Sequence, residues 1–195
     1  MRWAAFRCVW TSRRAAAVLE RWLRRPARPV TDPDMRILVC CMGNICRSPT
    51  AEGVLRLRLE VAGLADAVVV ESAGTHAHHV GSKPDPRAQT AAAARGVDLS
   101  RIRARRVSDE DFVRYDRIYA MDRDNLRNLH RSCPEPLRHK LALFLQHAER
   151  FDDDEVPDPY YGGPAGFERV LDLIEDAADG LVRELLQRSG QTPPK

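Results

Sequence analysis

The stretch Cys40-Cys-Met-Gly-Asn-Ile-Cys-Arg-Ser-Pro49 places a thiol and a guanidinium at the two ends of a short loop. The apolar residues Ile37-Leu38-Val39 before it are typical of a buried strand, and Ser48-Pro49 opens a helical pattern. A strand, a tight loop and a helix N-terminus turn several backbone N–H groups toward one point, where they can hold an oxyanion. The stretch therefore predicts a phosphate-binding loop with the Cys41 thiol beneath it.

The residue types in this loop suit attack on phosphorus by Cys41. A helix N-terminus and a nearby arginine both lower the pKa of a thiol, and the predicted position of Cys41 offers both. Arg47 can bind two phosphate oxygens with its planar fork. Gly43 allows close backbone approach, and Asn44 tolerates the left-handed conformation. We expect Ser48 to cap the helix or to donate to Cys41 when the sulfur leaves.

Two other interpretations of the cysteines are weaker. A lone Cys41 could be a small buried hydrophobe, but the strand and the polar residues around it argue against a chance match. Zinc sites usually combine two Cys-x2–4-Cys pairs. Here there is one Cys-x4-Cys pair, and only Cys133 lies downstream of it. The nearby His76, His78 and His79 are more typical of a polar surface loop. We therefore expect no metal and no cofactor.

The first 34 residues differ from the rest of the 195-residue chain. They contain all three tryptophans and eight arginines against three acids, a net charge of +5 that leaves −2 for the remainder of a +3 chain. Residues 1–34 could be a targeting segment, a basic amphipathic helix around 13–25, or an upstream extension that precedes a natural start at Met35. We expect this extension to lie outside the fold.

From Met35 onward, predicted strands alternate with predicted helices, which indicates one α/β domain over 35–188 with a flexible tail at 189–195. The predicted architecture is a small doubly wound, flavodoxin-like sheet of four parallel strands with helices on both faces. Ligands of such sheets bind beyond the carboxyl ends of the strands, where the Cys41 loop lies. The predicted strands are 35–41, 67–72, 117–121 and 140–145, and the predicted helices are 49–63, 84–95, 108–114, 123–131 and 167–187.

Composition excludes several classes of protein. No apolar run is long enough to span a bilayer, and no basic face with interleaved aromatic residues follows residue 35, so we expect neither a membrane span nor nucleic-acid binding. The five cysteines are odd in number, and three of them lie in one short stretch, which is unlike a secreted disulfide framework. A reducing, cytoplasmic location is predicted.

A second segment, Pro157-Asp158-Pro159-Tyr160-Tyr161-Gly162-Gly163, offers a proton donor for a leaving oxygen. Two flanking prolines restrict the backbone around Asp158 and so hold its carboxyl group in place. Tyr160 and Tyr161 offer walls for an aromatic substrate. Taken alone, the segment is more typical of a proline turn with ordinary surface tyrosines, and the acids at 152–155 are rival donors on a solvated surface.

Together, the loop from Cys41 to Pro49 and Asp158-Pro-Tyr-Tyr resemble the low-molecular-weight protein tyrosine phosphatases. The likeness runs from Met35 to about Leu186. It includes Ser72-Ala-Gly, Pro84-Asp-Pro-Arg87, Asp111-Phe112, Met121-Asp122 and Asn125-Leu126.

The resemblance implies roles for individual residues. Cys41 would form a phosphocysteine, Arg47 would bind phosphate and stabilise the transition state, and Asp158 would act as general acid and then as general base. Cys46 would pair with Cys41 under oxidation. The remaining implied site comprises the loop residues Met42, Gly43, Asn44, Ile45, Cys46 and Ser48, the supporting Ser72 and Asp122, and a substrate pocket with Tyr160, Tyr161 and His78. Cys40 is expected to face the core.

The sequence departs from the family in two places. His78 stands where the family often has Trp, and Ile102 lies near the position of a supporting His in mammalian members. The substrate expected from the resemblance is a phosphotyrosine-containing protein, with a tyrosine kinase as one candidate, while the oligomeric state stays open.

Three other functions compete with this one. A thiol-dependent arsenate reductase would need resolving cysteines, and only Cys133 lies downstream. A protein-arginine phosphatase looks to have Thr where Ile45 stands. A non-enzymatic phosphate-binding module would have lost Cys41, Arg47 or Asp158, and all three are present.

Overall fold

The fold is known from a computed structural model, which describes residues 34–188. All but the last residue of the predicted extension 1–34 lies outside this range, as does the predicted tail 189–195. The strands of the described range are β1 Met35–Cys41, β2 Val68–Gly74, β3 Arg117–Ala120 and β4 Leu141–Leu143. The α-helices are α1 Arg47–Val61, α2 Pro86–Ala94, α3 Asp109–Arg114, α4 Arg123–Ser132 and α5 Pro164–Arg188, and Glu135–Lys140 and Phe144–His147 are 3-10 helices.

The four strands form one parallel sheet in the order β2-β1-β3-β4. Parallel neighbours need crossover connections, and the helices between the strands supply them. The predicted α/β class and the four parallel strands are confirmed. Because Cys40 is in register with Ala120, the carboxyl ends of β1 and β3 lie side by side.

Several element boundaries differ from those predicted. Helix α1 begins at Arg47, two residues before the predicted start, so the end of the Cys41 loop is already helical. Strand β2 continues to Gly74 because it pairs with β1 as far as Cys41. Strand β4 is shorter than predicted because the chain turns into a 3-10 helix at Phe144.

The sheet buries a core on each face. Alternate residues of β1 point to opposite faces: Ile37, Val39 and Cys41 pack with α1 and α5, whereas Leu38 and Cys40 pack with α3 and α4. Every residue of β1 from Ile37 to Cys41 is buried, as expected for a central parallel strand. The prediction that Cys40 faces the core is confirmed.

Capping residues fix the ends of the helices near the loop. Asp85 accepts a hydrogen bond from the Arg87 backbone N–H at the start of α2, and Asp122 accepts one from Asn125 at the start of α4. Helix α2 is followed by Gly96, whose φ of +78° is in the left-handed region common just after a helix. Among residues 34–188, no helix is both long enough and apolar enough to cross a membrane.

Candidate active site

The loop that follows β1 wraps around the Cys41 sulfur. We call residues 41–48 the phosphate loop. Cys41 is buried, and its sulfur accepts hydrogen bonds from the Asn44 backbone N–H at 3.2 Å and from the Ser48 hydroxyl at 3.1 Å. Helix α1 begins within this loop at Arg47, so the N-terminal end of its dipole also points toward the sulfur. Two hydrogen-bond donors therefore converge on the Cys41 sulfur.

Asn44 braces the phosphate loop from within. Its φ of +56° is in the left-handed region that asparagine tolerates, and its side chain is fully buried. The amide nitrogen donates to the hydroxyls of Ser48 at 2.9 Å and Ser72 at 2.8 Å, and the amide oxygen accepts from the Arg105 backbone N–H at 2.9 Å. One side chain therefore links the loop to β2 and to the segment before α3.

The end of β2 supports the backbone of the phosphate loop. Thr75 N–H donates to Cys41 O at 2.8 Å, and His76 N–H donates to Met42 O at 3.0 Å. A Cβ atom at Gly74 would lie 2.8 Å from Met42 O and 3.2 Å from the carbonyl carbon of Gly43, which is too close for any side chain. Glycine is therefore required at position 74 for the loop to approach β2.

Arg47 is held by three partners. Its guanidinium donates to the Asp122 carboxylate at 2.5 Å, to Val156 O at 3.0 Å and to the Asp158 carboxylate at 2.9 Å. Burial lowers the pKa of Arg47, but the charges of Cys41 and Asp158 and the hydrogen bond to Asp122 outweigh it and raise the pKa overall. Arg47 is therefore a permanent positive charge fixed opposite the Cys41 sulfur.

Asp158 lies at the rim, in what we call the acid segment, residues 157–163. Its side chain is 45% exposed. One carboxylate oxygen contacts Arg47, and the other accepts from the Tyr160 backbone N–H at 3.1 Å. The structure thus brings Cys41, Arg47 and Asp158 to one site although more than 100 residues separate Arg47 from Asp158.

The three residues predicted to line the substrate pocket differ in exposure and in their contacts. Tyr160 is 40% exposed, whereas Tyr161 is 97% exposed, and the two rings meet edge to face. His78 is exposed and stacks on His76. His79, which was not predicted, is the histidine that lies against the loop, because a Cβ atom at Gly43 would be 2.8 Å from its ring.

A family model described as low molecular weight phosphotyrosine protein phosphatase matches residues 36–191. The chain belongs to this family. The Schizosaccharomyces pombe low molecular weight phosphotyrosine protein phosphatase is 44% identical over 153 residues, which cover 78% of this chain and 97% of that relative. The likeness therefore extends over nearly the whole length of a small phosphatase.

Solved phosphatase structures resemble the fold as well. A protein tyrosine phosphatase from Entamoeba histolytica, crystallised with Hepes in its active site, has a TM-score of 0.77 and 38% identity, covering 80% of this chain and 99% of that one. Vibrio vulnificus Wzb in complex with benzylphosphonate has a TM-score of 0.68 and 31% identity, covering 77% of this chain and 98% of that one.

The other three cysteines of the described range differ from Cys41 in their surroundings. All four cysteines between residues 34 and 188 are free. Burial raises the pKa of Cys46 to about 12, with the negative charges of Asp85 and Cys41 adding to the effect. Burial also raises the pKa of Cys40, which faces the opposite side of the sheet. Cys133 packs on that opposite side too. Within residues 34–188, no group of three or more metal-ligating side chains could hold a metal ion.

Sequence reasoning gave no role to four residues around this site, Gly74, Glu52, Arg87 and Arg105, although Gly74 and Arg87 stand in motifs that carry the family likeness. Glu52 could have been noticed, because an acid stands between Ala51 and Gly53 on the apolar side of α1. Arg87 stacks over the Tyr160 ring and donates to Tyr160 O at 3.0 Å, so it ties α2 to the acid segment. The backbone contact of Arg105 has no local signal, because any residue type can make it.

Proposed function

We propose that this protein hydrolyses aryl phosphates of phosphotyrosine-containing proteins through a phosphocysteine on Cys41. The observation that carries the proposal is the surroundings of the Cys41 sulfur. Two hydrogen-bond donors, the Asn44 N–H and the Ser48 hydroxyl, converge on it, and the buried Arg47 guanidinium stands at the other end of the same loop. Such an arrangement stabilises a thiolate and the phosphoryl oxygens that it attacks.

In the first step the Cys41 sulfur attacks phosphorus and the bond from phosphorus to the aryl oxygen breaks. The electron pair of that bond passes to the aryl oxygen, which takes a proton from the Asp158 carboxyl group. Phenol leaves and the phosphoryl group stays on sulfur. The loop N–H groups and the planar fork of Arg47 hold its equatorial oxygens throughout.

In the second step water attacks phosphorus and gives a proton to the Asp158 carboxylate. The bond between sulfur and phosphorus breaks, and the electron pair returns to Cys41. Ser48 assists here, because its hydroxyl lies 3.1 Å from the sulfur that must accept the charge. The products are inorganic phosphate and the starting thiolate.

Phosphate binding also releases the general acid. Arg47 contacts the Asp158 carboxylate at 2.9 Å, so this ion pair holds the acid against the phosphate loop when no phosphate is bound. A bound phosphoryl group competes for the same guanidinium nitrogen, so its arrival frees Asp158 to turn toward the leaving oxygen. The exposure of Asp158 leaves it room to do so.

An aromatic leaving group fits the rim of the site. Tyr160 and Tyr161 project from the acid segment, and His78 lies on the histidine-bearing loop that follows β2, so we assign all three to the substrate pocket. The similarity to Wzb, crystallised with benzylphosphonate, supports an aromatic phosphate ester. We extend the proposal to a cytoplasmic setting in which a tyrosine kinase is one substrate, and to reversible pairing of Cys41 with Cys46 under oxidation.

The two alternative enzymes fit the geometry less well. Cys133 would have to resolve an arsenic-bound Cys41, yet it is buried in the core on the other face of the sheet. Ile45 packs beside the Cys46, Ala88 and Phe167 cluster and offers no polar contact for a phosphoarginine. Both observations favour the tyrosine phosphatase.

A side-by-side assay tests the proposal. Phosphotyrosine, phosphoserine and phosphoarginine peptides of one sequence, together with arsenate and a thiol reductant, are given to the protein under identical conditions. We expect turnover of the phosphotyrosine peptide to exceed the others by about two orders of magnitude or more, because the tyrosine rim favours an aryl group. Activity confined to arsenate or to phosphoarginine would refute the proposal.

A further inference from the structure

A chain of side-chain hydrogen bonds runs from a buried acid of α1 to the nucleophilic sulfur. The Glu52 carboxylate accepts from the Ser72 hydroxyl at 2.5 Å, and the Asn44 amide nitrogen donates to that hydroxyl at 2.8 Å. The same nitrogen donates to the Ser48 hydroxyl at 2.9 Å, which donates to Cys41 at 3.1 Å. All five residues are less than one tenth exposed, so water does not compete for these groups.

The chain of hydrogen bonds has a defined direction because each serine hydroxyl has only one proton to donate. An ionised Glu52 can only accept, so the Ser72 proton points toward it and the Ser72 oxygen must receive from Asn44. That requires the NH2 end of Asn44 to face both serines. The Arg105 backbone N–H, which donates to the Asn44 oxygen at 2.9 Å, is compatible with that orientation.

The last link decides where the Ser48 proton goes. Because Asn44 donates to the Ser48 oxygen, the Ser48 proton is left for Cys41 at 3.1 Å or for Ala73 O at 3.3 Å. A charged sulfur is the stronger acceptor of the two. In the opposite orientation of Asn44, its oxygen would face both serines and would take the Ser48 proton away from Cys41.

We propose that Glu52 is a positioning residue whose carboxylate keeps the Ser48 hydroxyl donating to Cys41, through Ser72 and Asn44. Glu52 touches neither the substrate nor the reacting atoms. The inference rests on the proposed role of Cys41 as nucleophile. It adds Glu52 to the site, a residue to which the sequence analysis gave no role.

The surroundings of Glu52 show that a carboxylate there is costly. Glu52 is 5% exposed, and its neighbours Ala51, Val54 and Leu55 are buried apolar residues. Burial raises the pKa of Glu52, while the hydrogen bond from Ser72 and the charge of Arg56 offset part of this rise. Arg56 forms an ion pair with the second carboxylate oxygen of Glu52 at 2.6 Å. An apolar residue would fill the same space without the desolvation cost of a buried acid.

Two effects of removing the Glu52 charge have opposite signs, which makes the proposal testable. Loss of a nearby negative charge alone would stabilise a Cys41 thiolate and raise its reactivity. Loss of the directed Ser48 donor would destabilise the thiolate and lower its reactivity. Arg56 and Glu71, the other charged groups beside Glu52, are left in place by the substitution.

The test is the rate at which iodoacetamide alkylates Cys41 in Glu52→Gln, followed by fragment-ion mass spectrometry because Cys40 and Cys46 share its peptide. At about pH 6, below the pKa of an ordinary thiol, we expect alkylation to be about three- to tenfold slower than in the parent protein. Glu60→Gln, an exposed acid of the same helix, is the matched control and should alkylate at the parent rate. Unchanged or faster alkylation in Glu52→Gln would overturn the proposal.

A double-mutant cycle tests the route. If Glu52 acts through Ser72, Glu52→Gln should not slow alkylation further in a Ser72→Ala background. Additive effects of the two substitutions on the alkylation rate would contradict this route. Should Glu52→Gln fail to unfold cooperatively, Ser72→Ala cuts the same chain one link later and must by itself slow alkylation. The alkylation assay needs no phosphatase activity, so a failure of the proposed function would be seen separately in the turnover assay.

Discussion

The phosphate loop and the acid segment face the same substrate, yet they are built in opposite ways. In the phosphate loop, Asn44, Arg47 and Ser48 are at most 3% exposed, and side-chain hydrogen bonds from three parts of the chain hold them. In the acid segment, Asp158 is 45% exposed, and Tyr161 is 97% exposed. The side chains that hold the phosphate loop together are buried, whereas Asp158 and most of the acid segment are open to solvent.

This difference fits what each half does in the proposed mechanism. The phosphate loop stabilises charge on sulfur and on the phosphoryl oxygens, and dipoles fixed in advance do so without reorganising during the reaction. In that mechanism Asp158 gives up and regains a proton, and it exchanges its partner Arg47 for a leaving oxygen and then for water. A buried and rigid carboxyl group could not make these exchanges as readily.

Cys41→Ser, in the phosphate loop, should have the largest effect on activity of all the substitutions. We expect turnover of an aryl phosphate to fall by about four orders of magnitude or more, because a serine hydroxyl is not ionised at neutral pH. Phosphate binding, measured by calorimetry, should persist because the loop N–H groups and Arg47 remain. Cys133→Ser, a buried thiol on the other face of the sheet, should keep near-parent turnover.

Arg47→Lys tests whether the fixed fork matters beyond its charge. We expect kcat to fall by about two to three orders of magnitude, since lysine keeps the charge but cannot hold two phosphoryl oxygens while Asp122 anchors it. The measurement is steady-state kinetics with phenyl phosphate. Arg123→Lys, an exposed arginine paired with Asp154 and Glu155, is the control, and a comparable loss there would undermine the assignment.

Asp158→Asn removes the proposed general acid of the acid segment, and the resulting fall in kcat should depend on the leaving group. For phenyl phosphate we expect kcat to fall by about two to three orders of magnitude, because the aryl oxygen leaves without a proton. For an ester with a strongly acidic phenol the loss in the first step should be much smaller. Asp153→Asn, in the neighbouring acidic run, should change neither rate, and equal losses for both esters in Asp158→Asn would contradict the role of general acid.

Gly74→Ala sharpens the contrast in rigidity. The added Cβ would meet backbone atoms of Met42 and Gly43, so we expect a loss of about 1–3 kcal/mol in unfolding free energy. Gly163→Ala in the acid segment meets nothing within 4 Å and should leave stability within about 0.5 kcal/mol of the parent. Thermal unfolding of both variants gives the comparison, and equal destabilisation would count against a close-packed loop.

Local patterns are enough to predict much of the fold. The run from Ile37 to Val39 and the periodicity of α5 predict their elements because burial and helical spacing leave marks within a few residues. The order of the strands within the sheet leaves no such local mark, because it depends on which distant segments pair. The pattern also predicts too long a β4, because the apolar residues after Leu143 serve a 3-10 helix instead of a strand.

Some residues of the site can likewise be predicted from local sequence, and others cannot. Cys41, Arg47 and their loop can be predicted because strand, thiol, glycine and helix start follow one another in the sequence. Gly74 and Arg105 cannot, because their roles depend on contacts between elements far apart along the chain. Glu52 leaves one local sign, an acid on the apolar side of α1, but its partner Ser72 lies on another element. The family resemblance implies that Arg47 and Asp158 act in one site, and spacing alone does not indicate it.

The central claim is that the phosphoryl group passes through Cys41. The most direct measurement is rapid acid quenching during turnover of an aryl phosphate, followed by fragment-ion mass spectrometry of the peptide that contains Cys40, Cys41 and Cys46. We predict one phosphoryl group, located on the Cys41 sulfur and absent from Cys41→Ser. A phosphoryl group on Cys40 or Cys46, or full turnover in Cys41→Ser, would contradict the account.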